Sequence, residues 1–203
     1  MSVIESVAQL RALIGDPPPG LEAKVTGELD DFGRAFIAKS PFLILTTADA
    51  AGRLDASPKG DHAGFVEVVD DRTLLIPDRP GNRLAYGHCN IIENPKVSVL
   101  FVIPNTPETL RVNGSAELLD DADVLERLSA RGKPATLATR VHIEETFFHC
   151  AKAFIRSSLW APESWPERHR VSFGEMFRAR SQADESVEKM IDEAVEADYR
   201  DNL

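Results

Sequence analysis

Residues Leu74 to Phe101 read LLIPDRPGNRLAYGHCNIIENPKVSVLF. The apolar run Leu74 to Ile76 predicts a strand, Pro77, Pro80 and Gly81 open a loop, a helical pattern starts near Arg83, and another strand begins after Asn94-Pro95. A strand, a basic loop, a helix and a strand in that order suit an anion. Arg79 and Arg83 can each offer a planar donor fork to phosphate, and Asn82 stands where it could cap a helix whose free amides carry about half a positive charge. Taken alone, DRPGNR reads equally well as an exposed turn with two solvated arginines. Its neighbours must decide.

Upstream, Ser2-Val3-Ile4-Glu5 has the form of a capping box, and Val3, Ile4, Val7, Leu10 and Ile14 share one face of a predicted helix over 1–14 that Gly15 ends. The run Asp16 to Gly20 is a stiff proline connector. A second helix is expected from about Asp30, with Leu29, Phe32, Phe36 and Ile37 on its apolar side and Ser40-Pro41 as its stop. From there the period shortens. Strands are predicted over 42–48, 53–57, 64–69 and 73–76, with Asp49 to Gly52 and Asp70 to Arg72 as turns.

Downstream of the loop, helix 83–93 is the crossover. Lys96 to Ile103 suits a strand buried on both sides or lying at an interface, and Thr109 to Leu118 suits a strand in which Gly114 marks a bulge. A short helix is expected over 120–131 with Val124, Leu125 and Leu128 inward, then a last strand over 138–148 and a helical pattern over 151–158. The segment after Trp160 is proline-rich and polar. From Ser186 the tail predicts a helix whose stripe Val187, Met190, Ile191, Ala194 and Val195 should pack on the core or on a partner subunit. Six or so strands with few helices between them predict a mainly β, α+β fold: a closed or nearly closed antiparallel barrel. A single domain over 1–203 is expected, with N-terminal helices to residue 40, the barrel to 160 and a helical extension to 203.

Composition narrows the classes. At 203 residues and 43% hydrophobic content the chain can bury one substantial core, and its net charge of -10 argues against a general affinity for nucleic acid. No apolar run approaches the roughly 20 residues that span a bilayer, and MSVIESVAQL lacks a leader's basic start, so no membrane and a cytoplasmic location are expected. Cys89 and Cys150 each follow a histidine, but adjacent residues diverge on a helix or a strand and no metal-binding spacing is present, so no metal is expected. No Rossmann, P-loop or nucleophile-elbow motif occurs.

Six segments in order, SPFLILTTAD, DASPKGDHAGF, LLIPDRPGNRL, ENPKVSVLFVIP, ETLRVNGSAEL and HCAKAFIRSSLW, resemble the flavin-binding split-barrel superfamily that includes pyridoxamine 5'-phosphate oxidase. The likeness runs from about Asp30 to Trp160 and is greatest to the pyridoxamine 5'-phosphate oxidase-related, FMN-binding branch, where DRPGNR and HCxKAxxRSxLW belong. It implies a homodimer of six-stranded barrels with FMN as cofactor at the subunit interface. It implies that Arg79, Asn82 and Arg83 hold the phosphate, and that the backbone of Ser57, Pro58, Lys59 and Gly60 lines the flavin ring with Ile76 and Pro77 opposite. Thr109 stands where the family often has a glutamine that contacts the flavin, with Arg111 two residues on. Lys152, Arg156, Ser157 and Trp160 stand where the family supplies contacts from the other subunit. Lys59 or Arg111 would stabilise an anionic reduced flavin. The oxidase's C-terminal arginine and histidine have no counterpart, since Arg168, His169 and Arg170 fall in another frame, so vitamin B6 is not the expected substrate.

The resemblance implies an FMN-dependent oxidoreductase with a small-molecule substrate, possible reduction by NADH or NADPH, and no catalytic acid or base that can be named. The alternatives are a flavin-storage protein without turnover, or a barrel that uses haem or the deazaflavin F420. For haem, His62, His88, His142 and His149 are generic axial candidates.

Overall fold

A computed structural model describes residues 2–181 and 183–202. Strands run over Phe42–Ala48 (β1), Leu54–Gly60 (β2), Glu67–Asp70 (β3), Thr73–Asp78 (β4), Lys96–Val102 (β5), Thr109–Leu119 (β6) and Leu137–His149 (β7). They form one antiparallel sheet in the order β2-β1-β5-β6-β7-β4-β3. The expectation of six strands is corrected to seven, because the short β3 pairs with β4 as a hairpin at the sheet's edge.

Closure depends on the two long strands. β6 and β7 run through both halves of the sheet: their outer parts pair beside β5 and their inner parts beside β4. The register shifts between Asn113 and Gly114, the bulge expected from the sequence. A Cβ on Gly114 would stand 2.0 Å from the His142 carbonyl oxygen, so only glycine allows the two strands to meet there. The bend brings β2 and β4, four strands apart in the ladder, to face each other across a split.

The core fills the concave side. Leu43, Leu45, Val97, Val99, Phe101, Leu110, Val112, Leu74, Ile76 and Val141 alternate inward from their strands, joined by Ile37 and Ile91 from two helices. Those are Asp31–Lys39 (α2) and Tyr86–Glu93 (α3), the second of which lies against β1, β2 and β6. β5 is buried on one side only: Ser98, Leu100 and Val102 remain half-buried on the convex face. β4 is buried on both, because Leu75 packs with Leu128, Ala135 and Ala138 beneath the helix Ala122–Arg127 (α4).

The first helix is shorter than the sequence suggests. It spans Val7–Ile14 (α1), capped by Ser6, whose hydroxyl accepts from the Gln9 amide; the expected box at Ser2 and Glu5 does not form. None of its residues is buried. After the helix Lys152–Ser157 (α5), the chain forms a hairpin of Phe173–Ser181 (α6) and Glu185–Asp201 (α7). α6 was not expected, although Ser172 caps it by accepting from the Glu175 amide at 2.9 Å, because no clean apolar stripe marks the segment. Its start is held by a side chain from α7: Asp192 accepts from the Gly174 amide at 2.9 Å and from the Ser172 hydroxyl at 2.7 Å. The stripe on α7 is therefore half-satisfied within the chain. Val187, Ile191 and Val195 turn toward α6, whereas Met190 and Ala194 stay exposed.

Candidate functional site

β2 continues through Ser57-Pro58-Lys59-Gly60, past its expected end at Ser57. Pro58 offers no amide to a ladder, but β2 is an edge strand with only β1 beside it, so half of its backbone needs no partner. Its side chains divide between two faces. Ser57 and Lys59 stand opposite Leu45 and Leu43 on the concave side, while Pro58 and Gly60 stand opposite Ile44 and Phe42 on the convex side.

On the concave side Lys59 reaches across the split. Its Nζ donates to Asp78 Oδ1 at 2.6 Å, with both side chains less than a fifth exposed. Just beyond, Arg79 Nε donates to Asp61 Oδ2 at 2.8 Å, and Arg79 Nη2 donates to the Leu128 carbonyl at 2.9 Å. Arg79 Nη1 is buried with no partner among the described residues. Burial pushes the Asp61 carboxyl up, but the His62 amide, the Arg79 guanidinium and the His62 ring outweigh it and hold its pKa below the ordinary carboxylate value.

The start of α3 closes this cluster. Gly87 lies so near β2 that an added Cβ would be 3.1 Å from Asp55 Oδ2, and Asn90 Nδ2 donates to Thr47 Oγ1 at 3.0 Å. His88 Nε2 is 3.6 Å from Asp78 Oδ1, too long for a hydrogen bond, and is buried without a partner. Burial lowers the pKa of His88, Lys59 adds to the lowering, and Asp78 and Asp55 oppose it.

The loop between β4 and α3 differs from expectation in two respects. Asn82 does not cap the helix: its Oδ1 accepts from the Leu84 amide, and α3 begins only at Tyr86 after Ala85. Arg83 and Ala85 take left-handed φ values of 62° and 52°, which a side chain rarely adopts. Ala85 has no side-chain acceptor for the first turn, so the amides of that turn point out with no side-chain cap. Arg83 is exposed, and among the described residues it has no ion-pair partner.

Other expected site residues lie elsewhere. Ile76 is in the core and Pro77 is buried, so only their backbone can face a ligand. Thr109 is buried at the start of β6. Arg111 is on the convex face, paired with Glu145 and 5.3 Å over the Phe147 ring, and the ladder puts it in one cross-strand row with Pro58, Ile44 and Leu100. Trp160 donates its ring N–H to the Thr106 carbonyl at 3.0 Å and stacks on Phe154, which anchors α5 to the β5–β6 loop. Lys152, Arg156 and Ser157 are exposed on that helix, and no hydrogen bond joins them to the split among the described residues. Sequence reasoning missed Asp61 and Asp78, and named His88 only as a generic haem candidate, not as a neighbour of Asp78. The carboxylates stand in SPKGD and IPDR beside cations that were read as free, and a strand-by-strand reading cannot tell that the two segments meet.

A search of curated proteins finds no significant match. Among solved structures the chain is similar to a putative pyridoxamine 5'-phosphate oxidase from Lactobacillus delbrueckii (25% identity, 60% of this chain and 95% of that one, TM-score 0.47). It is also similar to HupZ from Group A Streptococcus (19%, 59% and 93%, 0.49) and to an FMN-binding protein from Syntrophomonas wolfei (12%, 58% and 88%, 0.43). The sequence model of the family described as pyridoxamine 5'-phosphate oxidase matches residues 29–150, from the start of α2 through β7. With more than half of its length matched, including both sides of the split and the loop before α3, this chain belongs to the pyridoxamine 5'-phosphate oxidase family.

Proposed function

We propose that this protein binds FMN and works as an FMN-dependent oxidoreductase, as a homodimer with the flavin between subunits. The observation that carries the reading is the loop from Arg79 to Ala85. An exposed Arg83 without an acid partner among the described residues, two strained left-handed residues and the side-chain-uncapped first turn of α3 stand in one segment, which meets β2 through Arg79 at Asp61 and through Gly87 near Asp55. That donor set fits a phosphate monoester: a guanidinium fork, helix N-terminal amides and the unpartnered Nη1 of Arg79.

Arg83 and the α3 amides would hold the phosphate, and Asn82 keeps the loop's shape through Leu84. The edge backbone of β2 supplies donors and acceptors for the ring without mobile side chains. FMN held there would supply hydride and electron transfer at its N5, with a nicotinamide nucleotide as donor and a small organic molecule or oxygen as acceptor. Ile76 and the buried Pro77 keep water from one side. Because Arg111 and Pro58 sit on the convex face, they are assigned to contacts across the dimer, together with Lys152, Arg156, Ser157 and Trp160.

The test is the visible spectrum of the purified protein after gel filtration with FMN. Retention of a two-band flavin spectrum by wild type and its loss in Arg79→Ala, Arg83→Ala is the expected result. A wild type that cannot be loaded would remove FMN from the account, and loading without reduction by NADH or NADPH would leave a flavin carrier.

A further inference from the structure

We propose that a phosphate dianion entering the split draws Lys59 away from Asp78, and that His88 takes up a proton from solvent to replace it, so that ligand binding and protonation of His88 are linked. The proposal rests on the phosphate reading of the Arg79 to Ala85 loop and extends it to the residues behind that loop.

The charged groups facing His88 come from two strands. They are Asp78 on β4 and Lys59 and Asp55 on β2, while Thr47 on β1 lies against the neighbouring Gly87 and accepts from Asn90 on α3. With His88 neutral, Asp55, Asp78 and Lys59 sum to one negative charge. A dianion brought near them meets repulsion unless a positive charge is added. Lys59 is committed to Asp78 at 2.6 Å. If it turns to the ligand, it leaves a carboxylate that is mostly out of water and unpaired, which is unfavourable. Among the described residues, the titratable group poised to pair with it is His88, whose buried and partnerless Nε2 already stands 3.6 Å from the same Oδ1. A small movement of the ring closes that gap to a hydrogen bond. Burial keeps His88 neutral in the free protein, and removal of Lys59 from the cluster takes away a further influence that disfavours its cation.

The sign of the linkage follows. His88 titrates low in the free protein and higher in the complex, so binding weakens as pH rises between the two values, by up to about tenfold per pH unit. Titration calorimetry of the full chain with FMN, run at pH 7.5 in buffers of small and large ionisation enthalpy, reads this directly. At that pH a phosphate monoester with a second pKa of about 6 is already dianionic. Wild type should show a binding enthalpy that tracks the buffer and corresponds to proton uptake, and His88→Gln should bind FMN without that dependence. The assigned His88 ring resonance of wild type, titrated by NMR with and without FMN, should move to a higher pKa, and this needs no variant to fold. Riboflavin, which lacks the phosphate, should bind without uptake. FMN binding with no buffer dependence, or equal uptake with riboflavin, would overturn the linkage and leave the flavin reading intact. Failure of FMN to bind wild type at all would overturn both.

Discussion

Lys59 Nζ lies 2.6 Å from Asp78 Oδ1, although the sheet's pairing order puts four strands between β2 and β4. Asp61 and Arg79 repeat the relationship one step further along. The split is therefore bridged by side chains where no backbone ladder joins the strands. Losing one partner strands the other in a site with little water. Lys59→Met should lower stability by about 1–3 kcal/mol, whereas Lys59→Met with Asp78→Leu should recover much of that loss. Urea unfolding checks it, and equal stability of wild type and Lys59→Met would mean that the pair contributes nothing.

The two arginines of the loop should separate into different roles. Arg79 is held by Asp61 and by the Leu128 carbonyl, so it ties the split to the α4 region, while Arg83 is exposed and unpaired among the described residues. Arg83→Ala should weaken FMN binding about 10- to 100-fold with an unchanged urea midpoint. Arg79→Ala should weaken binding and lower the midpoint as well. Fluorescence quenching of FMN against unfolding curves for both variants distinguishes them, and identical behaviour would dissolve the division.

How much of this was legible in the sequence depended on range. β1 spans Phe42–Ala48, as its local pattern predicts, because one face packs on the core and the other does not. β2 and β4 were expected to stop at Ser57 and Ile76, before their prolines. Both run on, since Pro58 lies on an edge strand and Pro77 lies beyond the last β3–β4 pair at Leu75, where a missing amide costs no ladder bond. The basic loop was visible as Arg79 to Arg83, but its late helix start was not, because left-handed φ at Arg83 and Ala85 has no signature in those residue types. The acids opposite the cations were invisible for a different reason: Asp61 and Arg79 are 18 residues apart and follow strands that do not pair, so no local pattern shows their meeting.

The bend at Gly114 makes it and Gly174 a matched pair. A Cβ at Gly114 would stand 2.0 Å from the His142 carbonyl oxygen, and one at Gly174 would stand 2.1 Å from the Glu188 carbonyl oxygen. In each case the obstacle is backbone, which cannot rotate aside. Gly114→Ala should therefore destabilise the barrel by about 2–4 kcal/mol, and Gly174→Ala should part α6 from α7 with little effect on the barrel. Hydrogen exchange resolves the two outcomes. New exchange confined to 173–201 is expected for Gly174→Ala, and faster exchange across β6 and β7 for Gly114→Ala.

Acid should test the split through Asp61. Its carboxyl is 7% exposed, and the bonds from the His62 amide, Arg79 and the His62 ring outweigh burial to hold its folded pKa below the unfolded value of about 3.9. A depressed carboxylate contributes stability that is complete above the unfolded value and is lost as pH falls through the folded one. The loss should thus appear only below about pH 4, the ordinary aspartate range. Asp49 and Asp70 are held low too, chiefly by amide bonds from Arg53 and Arg72, so the wild-type slope is shared among several groups. Asp61→Asn should be less stable than wild type at pH 7, and the difference should narrow as pH drops from 5 to 3, because the variant has no Asp61 charge to lose. Parallel curves for the two proteins across that window would assign the acid sensitivity to the other carboxylates and leave the Asp61–Arg79 bridge without a share in it.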